Sequence, residues 1–102
     1  MKEIKTTQVI HIPAYILVDD EDFDYLNQYH WYIGYNGKTY YAWRGTWVNG
    51  KRICIYMHRL IMNTPKGKQT HHIDGDGLNN QKSNLKVCTV KEHRLLHKIN
   101  KE

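Results

Sequence analysis

Residues 71–93 read HHIDGDGLNNQKSNLKVCTVKEH. The stretch opens on the end of a short strand, THHID, whose successive side chains point to opposite faces. GDGLNNQKSN is a turn-rich loop of Gly, Asp and Asn, residue types that tolerate left-handed backbone and bond their own main chain. LKV is long enough for a short return strand. Thr89-Val90-Lys91-Glu92 then fits the S/T-x-x-E capping box, which predicts a last helix from about Val90 to Ile99. The carboxyl third therefore reads strand, long loop, strand, helix.

Upstream, MHRLIMNT places Met57, Leu60 and Ile61 at helical spacing, a short helix that TPKGK ends at Pro65. Residues 31–56 alternate, and Asn36-Gly37 and Asn49-Gly50 are strong hairpin signals. They predict a three- or four-stranded antiparallel meander with one apolar face and one basic, aromatic face. Before it, Phe23 and Leu26 give the apolar side of a helix that Asp19 or Asp20 caps and whose positive end suits Glu21 and Asp22. VIHI and YILV, broken at Pro13, predict strands near the amino end. The expected fold class is α+β: a β-meander with a helix over residues 1–62, then the strand–loop–strand–helix unit over residues 63–102. The boundary is expected in the loop 63–69, with the two parts making one compact unit.

A chain of 102 residues is too short for an enzyme with separate cofactor and substrate domains, and no large active-site cavity is expected. Its net charge of +5 and its seven histidines suggest a polyanionic partner and a use for imidazole. The charge is unevenly spread. Residues 1–30 carry two Lys against six acids, a net of −4. Residues 31–70 carry Lys38, Arg44, Lys51, Arg52, Arg59, Lys66 and Lys68 and no acid, together with eight of the twelve aromatics. Residues 71–102 hold four of the seven histidines. No apolar run approaches the roughly 18 residues needed to span a bilayer, and the amino end lacks the apolar centre of a secretory signal, so an intracellular protein with no membrane partner is expected. Cys54 and Cys88 have no C-x-x-C partner and read as ordinary buried thiols.

His93 and His97 are four apart on the predicted helix, so both imidazoles lie on one face and can meet a single ion. His71-His72 ends a strand, where one side chain can serve a metal while the other faces elsewhere. Asn84 sits in the loop just before Leu85, where an amide can hold an irregular segment still. Taken together, His72, Asn84 and His93 and the order of the segment around them resemble the HNH nucleases and their ββα-metal motif. The His71-His72 pair, in place of the commoner Asp-His, is similar to the nuclease colicins. The stretch from YILVDDEDF through the meander to MHRLIMNTPKG resembles the amino half of small phage HNH proteins, some of which have been compared with plant AP2-type DNA-binding sheets.

The resemblance implies a DNA endonuclease encoded by a phage or mobile element and acting in the cytoplasm of a bacterial host, as a monomer or homodimer. His72 is then the general base, since an imidazole with the ordinary pKa of about 6.5 is mostly neutral at cytoplasmic pH. Asn84 is expected to orient His72 and fix the loop. His71, His93 and His97 are expected to hold one divalent ion, with Mn, Ni, Co or Zn favoured over Mg by imidazole ligation. The implied products carry 5′-phosphate and 3′-hydroxyl ends. Competing readings are a closed structural zinc site, a DNA-binding module without catalysis, and an RNA-cleaving toxin.

Most of Tyr32, Tyr35, Tyr40, Tyr41, Trp43 and Trp47 are read as the core of a small sheet. Lys38, Arg44, Lys51 and Arg52 are expected to touch phosphates, with Arg59 reaching the substrate from the short helix. His58 is expected to make a structural hydrogen bond, His11 and His30 to be structural or on the surface, and Asp74 and Asp76 to serve turn chemistry.

Overall fold

A computed structural model describes residues 1–6, 15–89 and 91. Strand β1 (Lys2–Lys5) pairs antiparallel with β2 (Tyr15–Val18), which is the YILV run. VIHI lies outside the described residues. No local pattern announces β1, because KEIK has a single apolar residue, the buried Ile4; its pairing with β2 makes the strand.

Helix α1 (Asp20–Asn27) has Asp20, Glu21 and Asp22 in its first turn, where carboxylates complement the helix dipole. Asp19 occupies the N-cap in extended conformation, yet its side chain caps nothing in its own helix. Its Oδ2 instead accepts the Lys82 N–H at 3.0 Å. Lys82 Nζ lies 2.8 Å from Glu21 Oε1 and 3.3 Å from Asp22 Oδ1. The acidic turn therefore also grips the loop of the carboxyl third. Leu26 is buried, and its carbonyl accepts the Trp31 indole N–H at 2.8 Å, fixing the entry to the meander.

The meander has three strands, β3 (Tyr32–Tyr35), β4 (Tyr40–Val48) and β5 (Lys51–Tyr56), all antiparallel. At its first turn Asn36 Oδ1 accepts the N–H groups of Lys38 and Thr39, both at 3.0 Å. The second turn is a two-residue connection with positive φ at Asn49 (50°) and Gly50 (78°), the combination that matches strand twist. Ala42 is fully buried and Ile33, Tyr40 and Ile55 pack on the core, so their side of the sheet is the covered one. The other side is open.

Helix α2 (Met57–Met62) buries Met57 and ends at Asn63 in the left-handed region, two residues before Pro65. Strand β6 (Lys68–His72) then pairs antiparallel with β8 (Leu85–Thr89). Between them lie the two-residue strand β7 (Asn79–Asn80) and a 3₁₀ turn, Lys82–Asn84. β7 pairs parallel with β2, Leu17 opposite Asn79 and Val18 opposite Asn80. The core cluster joins Ile4, Ile16, Val18, Leu26, Trp31, Ala42 and Met57 to Leu78 of the loop. Sheet and core thus both cross residue 63. The helix expected over Val90–Ile99, with His93 and His97, lies outside the described residues, as does His11; of that span only Lys91 is described, and it is helical.

Three expectations need correcting. Cys54 is exposed, while Cys88 is buried as expected. None of the six meander aromatics read as core is buried: Tyr32 and Trp47 are exposed on the face that a three-stranded sheet with one covered side leaves in solvent, and Tyr35 is exposed at the end of β3 beside the first turn. An open cleft of about 610 Å³ is also present, between the first meander turn, the open face of the sheet and β6.

Candidate active site

Strand β6 delivers the histidine pair. His71 lies opposite Lys86 and His72 opposite Leu85, so the two imidazoles leave opposite sides of the strand. His71 is buried and His72 half-buried, and both help to line the cleft. The His72 carbonyl accepts the Gly75 N–H at 3.0 Å, which turns the chain into the loop.

The loop is held by its own Asn and Asp side chains. Buried Asn84 accepts the Asp74 N–H on Oδ1 at 3.0 Å, and its Nδ2 donates to Asp74 Oδ1 and to the Asn79 carbonyl, both at 2.9 Å. Asp74 also accepts the Asp76 N–H at 2.8 Å and the Asn79 amide at 2.9 Å. Burial pushes the Asp74 carboxyl up, but hydrogen bonds from Asn79, the Asp76 N–H and Asn84 outweigh it and hold the acid below its ordinary range. Turn chemistry at Asp74 and Asp76 accounts for these contacts. It leaves the Asn84 side chain engaged on Asp74 and Asn79.

The ring of His72 is held by a different residue. Asn80, fully buried, places Oδ1 2.8 Å from His72 Nε2. A carbonyl oxygen facing Nε2 favours the tautomer with the proton there and the lone pair on Nδ1. Asn80 escapes a reading of local sequence because Asn-Asn in a Gly-rich stretch looks like a turn. Only the distant pairing of β7 with β2 turns it inward.

On its other flank His72 meets His58, ring centroids 4.9 Å apart. Burial, then the neighbouring His72 and Arg59, push the His58 pKa down to about 4, so this imidazole is neutral at physiological pH. Its Nδ1 is buried and has no hydrogen-bond partner among the described residues. Arg59 donates to the Lys68 carbonyl at 2.8 Å and the Pro65 carbonyl at 3.3 Å, bracing the connection into β6 at the edge of the cleft. Arg44 is on the covered side of the sheet, its guanidinium 3.9 Å from the Tyr29 ring centroid, an arrangement for packing. Lys38 stands in the first turn at the cleft, Arg52 on the open face and Lys51 at the second turn.

A match to known families fits this geometry. Residues 56–95 match the HNH endonuclease family. No curated protein and no solved structure matches the chain significantly. The HNH match takes in α2, β6, the loop, β7 and β8, and so the whole His72, Asn80 and Asn84 arrangement. HNH endonucleases, which the matched segment resembles, cut nucleic acid and typically use a divalent metal. Among the described residues, the one group of three His, Cys, Asp or Glu side chains close enough to share an ion is Asp19, Glu21 and Asp22, where Lys82 already sits. No described helix is long and apolar enough to cross a membrane.

Proposed function

We propose that the chain is a metal-dependent DNA endonuclease of the HNH type with His72 as general base. The observation that carries this reading is the His72–Asn80 pair: a half-buried imidazole at an open cleft, its proton held on Nε2 by a buried amide. Nδ1 is left to take a proton from the water that attacks the phosphate. Asn84 keeps the loop rigid beneath that pair, and Asn80 is a positioning residue.

His71, which leaves β6 on the side opposite the base, is assigned as a nitrogen donor to the metal, and the remaining ligands are assigned to His93 and His97. An imidazole set of this kind suits Mn, Ni, Co or Zn better than Mg. When bound, the ion supplies charge neutralisation at the phosphate and at the departing 3′ oxygen. The products are a 5′-phosphate and a 3′-hydroxyl.

Lys38, Lys51 and Arg52 contact phosphates along an AP2-like sheet, and a footprint of phosphate contacts leaves sequence preference modest. Arg44 and Arg59, bound within the fold, support the surface that carries them. A monomer has one such site and nicks; cutting both strands takes a homodimer or two successive events. The reading fits a phage or mobile-element protein working in the cytoplasm of a bacterial host. Plasmid nicking with added Mn, Ni, Co, Zn or Mg tests it: wild type nicks and His72→Ala does not. Equal nicking by the mutant rules out the base assignment.

A further inference from the structure

The open face of the meander is paved with planar side chains that lead to the active-site histidine. Trp43 stands in register with Tyr32 on one side and Tyr56 on the other. The Tyr32 and Trp43 rings are 5.3 Å apart, Tyr41 and Tyr56 5.8 Å, Tyr56 and His58 6.0 Å, and His58 and His72 4.9 Å. Tyr32 is 50% exposed, Tyr56 38% and Trp47 69%. Two glycines on this face leave room for flat groups: a Cβ at Gly34 would lie 2.6 Å from Tyr41 Cζ, and one at Gly45 2.9 Å from Arg52 Nη2. The Tyr41 ring and the Arg52 guanidinium therefore sit over bare backbone.

Arg52 lies on this face and Lys38 at its first turn, and residues 31–70 hold no acid, so the face suits an anion. Exposed π-faces select an anion that also carries planar rings. A single strand of nucleic acid offers both along its length, whereas an intact duplex hides its base faces in the stack.

We propose that this face stacks unpaired nucleobases of a DNA strand whose backbone runs toward His72. The chain then prefers single-stranded or locally opened DNA to intact duplex. The preference rests on the nuclease reading for what is cut, but the binding it describes is measured separately from cutting.

The test is fluorescence-anisotropy titration of the full chain as purified with three labelled probes of equal length: a single strand, its duplex, and a strand of abasic residues. Strand integrity is checked on a gel after each titration. The single strand is expected to bind more tightly than the duplex, and the abasic strand about tenfold more weakly than the single strand or worse. Tyr56→Leu and Tyr32→Leu weaken binding of the single strand by a similar factor and leave the abasic strand unchanged, while Tyr56→Phe binds like wild type. A duplex held as tightly as the single strand, or an abasic strand held as tightly as a normal one, overturns the proposal without any variant. Strand binding in a chain that nicks nothing would count against the nuclease reading and leave the stacking face standing. Nicking with no single-strand preference in binding would do the reverse.

Discussion

Asn80 of β7 and His72 of β6 meet through a 2.8 Å contact between Oδ1 and Nε2, with the Asn80 side chain fully buried. Because β7 is held by β2, that strand of the amino-terminal part determines how the ring of the proposed base is aimed. Asn80→Ala removes the acceptor and leaves the Nε2–H without one. Nicking by this variant is expected to fall about 10- to 100-fold in kcat, with KM little changed. Asn80→Asp is expected to shift the acidic limb of the pH–rate profile to higher pH, since a carboxylate favours the protonated ring. An unaltered kcat and pH profile in both variants would show that Asn80 merely fills space.

Gly77 joins the loop to the meander. Its N–H donates to Thr39 Oγ1 at 3.0 Å, and a methyl group here would overlap the Tyr40 carbonyl oxygen, which is backbone and cannot swing aside. Gly77→Ala is expected to destabilise the fold by about 2 kcal/mol. Thermal unfolding followed by circular dichroism checks this, and a midpoint equal to that of wild type would contradict it.

His58 gives the fold a pH dependence of defined sign. Its folded pKa of about 4 lies below the ordinary 6.5, chiefly through burial, so between these values the unfolded chain takes up a proton that the folded chain does not. The contribution is fully present above pH 6.5, declines as pH falls toward 4 and is constant below that. The total loss is roughly 3 kcal/mol. Urea unfolding from pH 7 to pH 4 should therefore be less steep in pH for His58→Leu than for wild type. Identical slopes would place His58 in water rather than in the wall of the cleft.

The proposed phosphate contacts by Lys38, Lys51 and Arg52 would make binding salt-dependent. Three contacts to a single strand correspond to a slope near −2 in log K against log salt, or roughly 15- to 20-fold weaker binding between about 50 and 200 mM. Replacing Arg52 with Gln should reduce the slope by about one contact. Binding that hardly changes over this range would remove the phosphate footprint.

Features set by short-range chemistry were legible in the sequence. Asn36-Gly37 and Asn49-Gly50 mark the two turns of the meander, Asp19 precedes α1, and the Gly-Asp-Asn stretch after His72 forms a loop closed by its own side chains. What stayed hidden depends on partners distant in the chain. Ile4 lies in a strand because β2 is beside it, and Asn80 faces inward because β7 adds to the same sheet. Alternation along β4 separates Tyr41 and Trp43 from Ala42 and Arg44, but which set is covered depends on where α1 and the core lie. Arg44 consequently stacks on Tyr29, while Tyr32 and Trp47 face solvent.

The central claim is that His72 takes the proton from the attacking water. Its most direct measurement is the initial rate of plasmid nicking by wild type and by His72→Ala at saturating Mn, Ni or Co, with folding of the mutant verified by circular dichroism. The account predicts a metal-dependent rate for wild type and a loss of about 10²- to 10⁴-fold for the mutant. A folded His72→Ala chain that nicks at the wild-type rate would contradict it.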